Sequence, residues 1–168
     1  MIKANKLVSK NFLSSLDIST QEIHNIFELA KNFKNKDSNI KREGKVLGLI
    51  FDKSSTRTRV SFQVAMARLG GTTIDLNPTT SQIGRGEPIK DTARVLSRYC
   101  DVLAIRTFKQ SVLEEYAKWA TIPVINALTD LEHPCQALAD FLTIEEEFGE
   151  LKGKVLSYIG DGNNVANS

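Results

Sequence analysis

The stretch Ser54-Ser55-Thr56-Arg57-Thr58-Arg59 joins an apolar run, residues 46–51, to a helical pattern over residues 60–69. It therefore predicts a strand, a polar turn and the start of a helix. The first turn of a helix has backbone N–H groups without partners and carries a partial positive charge. A capped helix with two solvated arginines would need only one hydroxyl, whereas this turn alternates hydroxyls with arginines. The pattern favours an anion site, and phosphate is the usual occupant of such sites.

The composition is that of one ordinary globular domain, with 168 residues, 41% of them hydrophobic and 25% charged. The net charge of +2 gives no electrostatic case for binding nucleic acid or an anionic membrane. No apolar run approaches the length that spans a bilayer. Cys100 and Cys135 do not make a disulfide framework, and residues 1–6 lack the apolar core of a signal peptide. We therefore expect a cytoplasmic protein.

Strands and helices alternate along the chain after a first helix, which opens with a capping box at residues 19–22. This alternation predicts an α/β fold, a parallel β-sheet flanked by helices, whose ligands bind beyond the carboxyl ends of the strands. The polar groups that follow the first, third and fourth strands should therefore share one edge. The predicted strands are residues 45–51, 72–76, 101–105, 122–127 and 154–159, and the later helices are residues 56–69, 88–99, 110–120 and 133–148.

Two of these polar groups are candidates for chemistry. Arg106 ends an apolar strand, where it could reach water or bind a phosphate together with an adjacent carbonyl oxygen. In His133-Pro134-Cys135-Gln136, the i, i+3 spacing puts His133 and Gln136 on one side of the first turn of a helix. On position alone, a histidine just before a helix is more often a helix cap than a catalytic residue. Cys135 is expected to be a packing residue or a secondary contact, and not a nucleophile.

Three motifs resemble one known family. The stretch from Phe51 to Phe62 resembles the carbamoyl-phosphate signature of the aspartate/ornithine carbamoyltransferases, and residues 133–136 resemble the second signature of that family. Residues 160–168 resemble the motif that begins the family's second domain. Lys53, Gln82 and the make-up of the His-Pro-Cys-Gln motif resemble the ornithine branch. The motifs occur in the family's order, and the chain is identified as a member.

The resemblance implies a reaction and the residues that perform it. The δ-amine of L-ornithine would attack carbamoyl phosphate to give citrulline and phosphate, without a metal or organic cofactor. Arg106 and His133 would be catalytic, with His133 donating a hydrogen bond to the carbonyl oxygen. Gln136 would accept from the carbamoyl NH2, and Asn167 would contact ornithine. The residues expected to bind carbamoyl phosphate are Ser55, Thr56, Arg57, Thr58, Gln82, Arg106, His133 and Gln136.

The family's organisation implies further expectations. The loop of residues 77–87 would reach the active site of a neighbouring subunit, so that Gln82 is delivered across the interface of a homotrimer. Residues 1–150 would form the carbamoyl-phosphate domain and residues 151–168 the start of the ornithine-binding domain, whose remainder this chain lacks. The isolated chain is then expected to be catalytically inactive. The family's reaction belongs to arginine metabolism. Aspartate or another amine as acceptor stays an alternative, as does a non-catalytic anion-binding module.

Overall fold

The computed structural model describes residues 7–36, 38–77 and 81–168. Within these ranges four parallel strands form one sheet in the order β2-β1-β3-β4, which confirms the predicted α/β class. None of the described helices is long and apolar enough to cross a membrane. The strands are β1 (Val46–Phe51), β2 (Thr72–Leu76), β3 (Val102–Arg106) and β4 (Val124–Leu128), and the helices are α1 (Thr20–Lys34), α2 (Arg57–Arg68), α3 (Ile89–Tyr99), α4 (Gln110–Trp119) and α5 (Pro134–Phe148).

The central strands β1 and β3 are buried on both faces, as is typical of parallel strands that are covered by helices. Ile50 packs with side chains of α3 and α4 on one face, while Leu49 packs in the cluster around Met66 of α2 on the other. At Gly48 the sheet approaches its neighbours closely. A Cβ there would lie 2.7 Å from a methyl carbon of Leu103 and 3.0 Å from the sulfur of Cys100. Any larger residue here would force the side chain of Leu103 to shift, so glycine allows β1 to pack this closely.

The predicted bounds of the first four strands and of the helices agree with the structure to within two residues. The capping box that opens α1 is also confirmed, since Ser19 accepts from the backbone N–H of Glu22 and the Glu22 carboxylate accepts from that of Ser19. Residues 1–18 showed no clear element in the sequence. In the structure Phe12 forms a parallel bridge with Ile125, and a 3-10 turn follows at Ser15–Asp17.

The prediction of a fifth strand at residues 154–159 is wrong. These residues form no strand, and Val155 and Ile159 are 92% and 96% exposed. A stretch rich in apolar residues becomes a strand only where a neighbouring strand supplies hydrogen-bond partners. No such neighbour is present in the described part of the chain.

Candidate functional site

A pocket of about 560 Å³ opens at the carboxyl ends of β1, β3 and β4. This is the edge at which the sequence predicted that the polar groups would meet. The structure brings together seven of the eight residues expected to bind carbamoyl phosphate, and leaves out Gln82. The pocket is lined by Ser54, Ser55, Thr56, Arg57, Thr58, Arg106, Leu128, His133, Gln136 and Val165.

The start of α2 supplies donors to one wall of this pocket. Thr56 occupies the N-cap position with helical backbone angles, and its side chain makes no capping hydrogen bond. The N–H groups of the first turn, which have no partners within a helix, are therefore also without a side-chain cap. The wall combines these N–H groups with hydroxyls and the positive end of the helix dipole, which is the chemistry that attracts anions.

Only one of the two arginines in this turn lines the pocket. Arg57 is exposed there, whereas Arg59 donates from Nη1 to Oδ2 of Asp75 at 2.6 Å. Its guanidinium also lies 5.1 Å from the ring centre of Phe51. Arg57 is the arginine of this turn that was expected to bind carbamoyl phosphate, and Arg59 is instead neutralised by the carboxylate of Asp75 on β2.

Arg106 and His133 carry unused hydrogen-bonding capacity. Nε of Arg106 and Nδ1 of His133 are buried and have no hydrogen-bond partner within the described residues. Burial lowers the pKa of Arg106. Burial and the charge of Arg106 lower the pKa of His133, while Asp140 opposes them. His133 is therefore a neutral imidazole at pH 7, and one of its ring nitrogens carries a proton that it can donate.

The first turn of α5 orients the remaining groups. Gln136 donates from Nε2 to Oδ1 of Asp140 at 2.8 Å, which leaves its amide oxygen as an acceptor. Sγ of Cys135 lies 3.4 Å from the backbone oxygen of Asn126. Burial raises the pKa of Cys135 to about 12, so the thiol stays protonated at neutral pH. This agrees with the interpretation of Cys135 as a packing residue.

Comparison with known proteins decides the family. Residues 10–146 match the family model described as aspartate/ornithine carbamoyltransferase, carbamoyl-P binding domain. The chain belongs to the aspartate/ornithine carbamoyltransferase family. Over 168 residues it is 79% identical to an ornithine carbamoyltransferase of Prochlorococcus marinus, covering all of this chain and 54% of the relative. The chain spans about half the length of the curated carbamoyltransferases it matches.

Solved carbamoyltransferases share the fold. A crystal structure of ornithine carbamoyltransferase from Gloeobacter violaceus is 56% identical with a TM-score of 0.86, and the match covers 94% of this chain and 52% of that one. The match to an aspartate transcarbamoylase from Trypanosoma cruzi, in complex with N-(phosphonacetyl)-L-aspartic acid, is 35% identical. It has a TM-score of 0.81 and covers 88% of this chain and 47% of that one.

Two residues that the family resemblance singled out do not line the pocket. Gln82 is exposed on the 3-10 turn Gln82–Arg85, in a loop whose residues 78–80 lie outside the described ranges. Asn167 instead donates from Nδ2 to the backbone oxygen of Leu131 at 3.1 Å. The hydroxyl of Ser168 accepts from the backbone N–H of His133 at 2.7 Å. The end of the chain therefore packs on the loop that carries His133.

Several residues at this pocket were missed in the sequence analysis of this carbamoyltransferase family member. Ser54 lies in the quoted motif, but no signal marked Leu128 or Val165 as lining residues. Lys53, read only as a mark of the ornithine branch, forms an ion pair with Asp130 and so links two loops at the pocket. Within the described ranges no group of three or more His, Cys, Asp or Glu could hold a metal ion.

Proposed function

We propose that this chain supplies the carbamoyl-phosphate half of an ornithine carbamoyltransferase active site. The δ-amine of L-ornithine attacks the carbonyl carbon of carbamoyl phosphate, and citrulline and inorganic phosphate leave. The observation that carries this proposal is the convergence of donors on one pocket: an uncapped helix start, Arg57, Arg106 and a neutral His133. Such donors fit a substrate with a phosphate and a carbonyl oxygen side by side.

The phosphate group is assigned to the start of α2. Ser55, Arg57 and Thr58 all line the same pocket, and they bring hydroxyls, a guanidinium and first-turn N–H groups to it. Charge-assisted hydrogen bonds to phosphate are about twice as strong as neutral ones. This wall therefore fixes the substrate at its charged end and also stabilises the negative charge that remains on the leaving phosphate.

The carbamoyl group is assigned to the lining residues from β3 and the start of α5. Arg106 and the neutral His133 donate to the carbonyl oxygen, on which negative charge builds as the amine attacks. The amide oxygen of Gln136 accepts from the carbamoyl NH2, because its own NH2 is already bound to Asp140. Donors held in place before the reaction need no reorganisation when the charge develops, which lowers the barrier.

The rest of the assignment is also part of the proposal. Residues 1–150 form the carbamoyl-phosphate domain, and residues 151–168 begin an ornithine-binding domain in which Asn167 contacts the amino acid. The complete protein is a homotrimer in which Gln82 serves a neighbour's site. It works in the cytoplasm in arginine metabolism, in keeping with the two free cysteines. Ornithine is preferred over aspartate because the 79% identical relative is named for ornithine.

A calorimetric titration of the 168-residue chain tests the first half of the proposal. Carbamoyl phosphate and inorganic phosphate should both bind. A citrulline assay with added ornithine should show no turnover, because Asn167 is the one residue assigned to ornithine here and a single contact does not hold the amine near the carbonyl. A form of the protein extended to the length of its relatives should form citrulline from ornithine and no product from aspartate. A chain that binds neither carbamoyl phosphate nor inorganic phosphate would overturn the proposal.

A further inference from the structure

A buried carboxylate stands one residue before His133 and belongs to no motif. Glu132 is 7% exposed, and within the described residues it forms no ion pair. Its oxygens accept three hydrogen bonds from two serines near the start of the chain. Oε1 accepts from Oγ of Ser14 at 2.8 Å, and Oε2 accepts from the backbone N and Oγ of Ser15 at 2.8 and 3.0 Å. A buried carboxylate needs such partners to offset its desolvation.

These bonds belong to a closed circle of partly buried contacts. Leu13, next to the serines, accepts at its backbone oxygen from Nε2 of Gln110 at 3.3 Å. Oε1 of Gln110 accepts from the hydroxyl of Thr129 at 2.8 Å, and the backbone N of Thr129 donates to the backbone oxygen of Glu132 at 2.9 Å. We call this the Glu132 ring, formed by Leu13, Ser14, Ser15, Gln110, Thr129 and Glu132.

The ring fixes the loop from which His133 reaches the pocket. Residues 129–133 connect β4 to α5, and His133 has φ −129° and ψ 67°, outside the helical region that starts with Pro134. Backbone angles at this point decide where the imidazole points. Such a network restrains the loop, because breaking it would leave the buried carboxylate of Glu132 without hydrogen-bond donors.

We propose that Glu132 is a positioning residue for His133. Its carboxylate ties loop 129–133 to the segment around Ser14 and Ser15, so that the imidazole faces the pocket before any ligand binds. The role in catalysis that follows rests on the proposed function, in which His133 contacts the carbamoyl group. The positioning itself is a property of the free chain and can be measured without substrate.

Glutamine offers a conservative substitute. Ionised glutamate only accepts hydrogen bonds, which suits three converging donors. In Glu132→Gln the amide oxygen can still accept both bonds from Ser15, and the NH2 can donate to the hydroxyl of Ser14. In Glu132→Ala the three donors lose their acceptor and the ring opens. Thr92→Val is a matched control, because Thr92 is also buried and donates to Glu87 at 2.9 Å, outside the ring and the pocket.

Affinities for two ligands separate positioning from general damage. The dissociation constants of carbamoyl phosphate and inorganic phosphate are measured on each 168-residue variant and expressed as a ratio. Since His133 is assigned to the carbamoyl group, Glu132→Ala should reduce the preference for carbamoyl phosphate about 3- to 10-fold, the value of one hydrogen bond. Glu132→Gln should restore the preference to within about twofold, and Thr92→Val should leave it unchanged.

The imidazole signals of His133 provide the second measure. The chain has two histidines, so a His24→Gln variant assigns the NMR resonances of His133 directly. Glu132→Ala should shift or broaden these resonances, and the Ser14→Ala/Ser15→Ala double variant should do the same while keeping Glu132 in place. If Glu132→Ala fails to fold, the double variant tests positioning by both the affinity ratio and the NMR signals of His133.

The two hypotheses can fail separately. A wild-type chain that binds neither ligand would refute the proposed function, and the NMR comparison would still decide the role of Glu132. A wild-type chain that binds both, with the ratio and the His133 signals unchanged when the ring is opened, would overturn positioning alone.

Discussion

The guanidinium of Arg106 and the imidazole of His133 line one pocket, and each keeps a buried nitrogen without a hydrogen-bond partner in the described part of the chain. Arg106 also lowers the pKa of His133 through its charge. Burial first, and the charge of Arg106 second, lower the pKa of His133 and favour the neutral imidazole, so its donor proton is not accompanied by a second positive charge.

Replacing Arg106 with glutamine should raise the pKa of His133, because one of the two causes that lower it is removed. An NMR titration of the His133 imidazole measures the shift directly. Inorganic phosphate should also raise this pKa in the wild-type chain, since the dianion offsets the charge of Arg106. An unchanged His133 pKa in Arg106→Gln would show that burial alone lowers it.

His133 should make the fold less stable in acid. Its pKa in the folded chain lies below its usual 6.5, so the unfolded state takes up the proton at a higher pH. The stability it contributes is complete above about pH 6.5 and falls as the pH drops towards the folded pKa. Urea unfolding at pH 7.5 and pH 5 should show a smaller loss for His133→Asn than for wild type. His24→Gln, altered on the exposed surface of α1, should match wild type.

Arg57→Ala should weaken the binding of phosphate and carbamoyl phosphate by at least about 10-fold. A hydrogen bond to a charged group contributes about 1.5–3 kcal/mol. Arg59→Ala is the matched control from the same turn, since Arg59 is paired with Asp75 and does not line the pocket. Calorimetry should show little change for this control. Equal losses in both variants would mean that the turn as a whole, and not Arg57, had been damaged.

Gln82→Ala should spoil a neighbouring subunit's site and leave its own intact. This prediction rests on two observations. Gln82 is exposed outside the pocket of its own chain, and its loop resembles the corresponding loop of the family. In a protein of full family length, mixing Gln82→Ala with Arg57→Ala subunits should restore part of the activity, because hybrids contain some sites with both residues. No recovery after verified subunit exchange would count against a shared site.

Most of the pocket could be predicted from the sequence, because the parallel topology of the sheet determines where its lining residues lie. Residues that follow β1, β3 and β4 must emerge at one edge, so Arg57, Arg106 and His133 could be brought together before any contact was known. The helix starts were equally accessible, since a capping box at residues 19–22 and Pro134 in a first turn are local signals.

What the sequence did not reveal depends on contacts between distant segments. Phe12 meets β4 through a single bridge, which leaves no periodic pattern. In the sequence Glu132 is one of many charged residues, and only the structure shows that Ser14 and Ser15 donate hydrogen bonds to it. At residues 154–159 the opposite error occurred: the sequence predicted a strand, but no partner strand lies beside these residues in the described chain.

The uncapped start of α2 also bears on how the stability of this protein is measured. A ligand that binds only the folded state raises the free energy of unfolding, by about 2.7 kcal/mol when its concentration is 100 times the dissociation constant. If phosphate occupies the pocket as proposed, melting temperatures recorded in phosphate buffer describe a complex, and those recorded in an amine buffer describe the free chain. The choice of buffer anion thus becomes a thermodynamic variable of the fold.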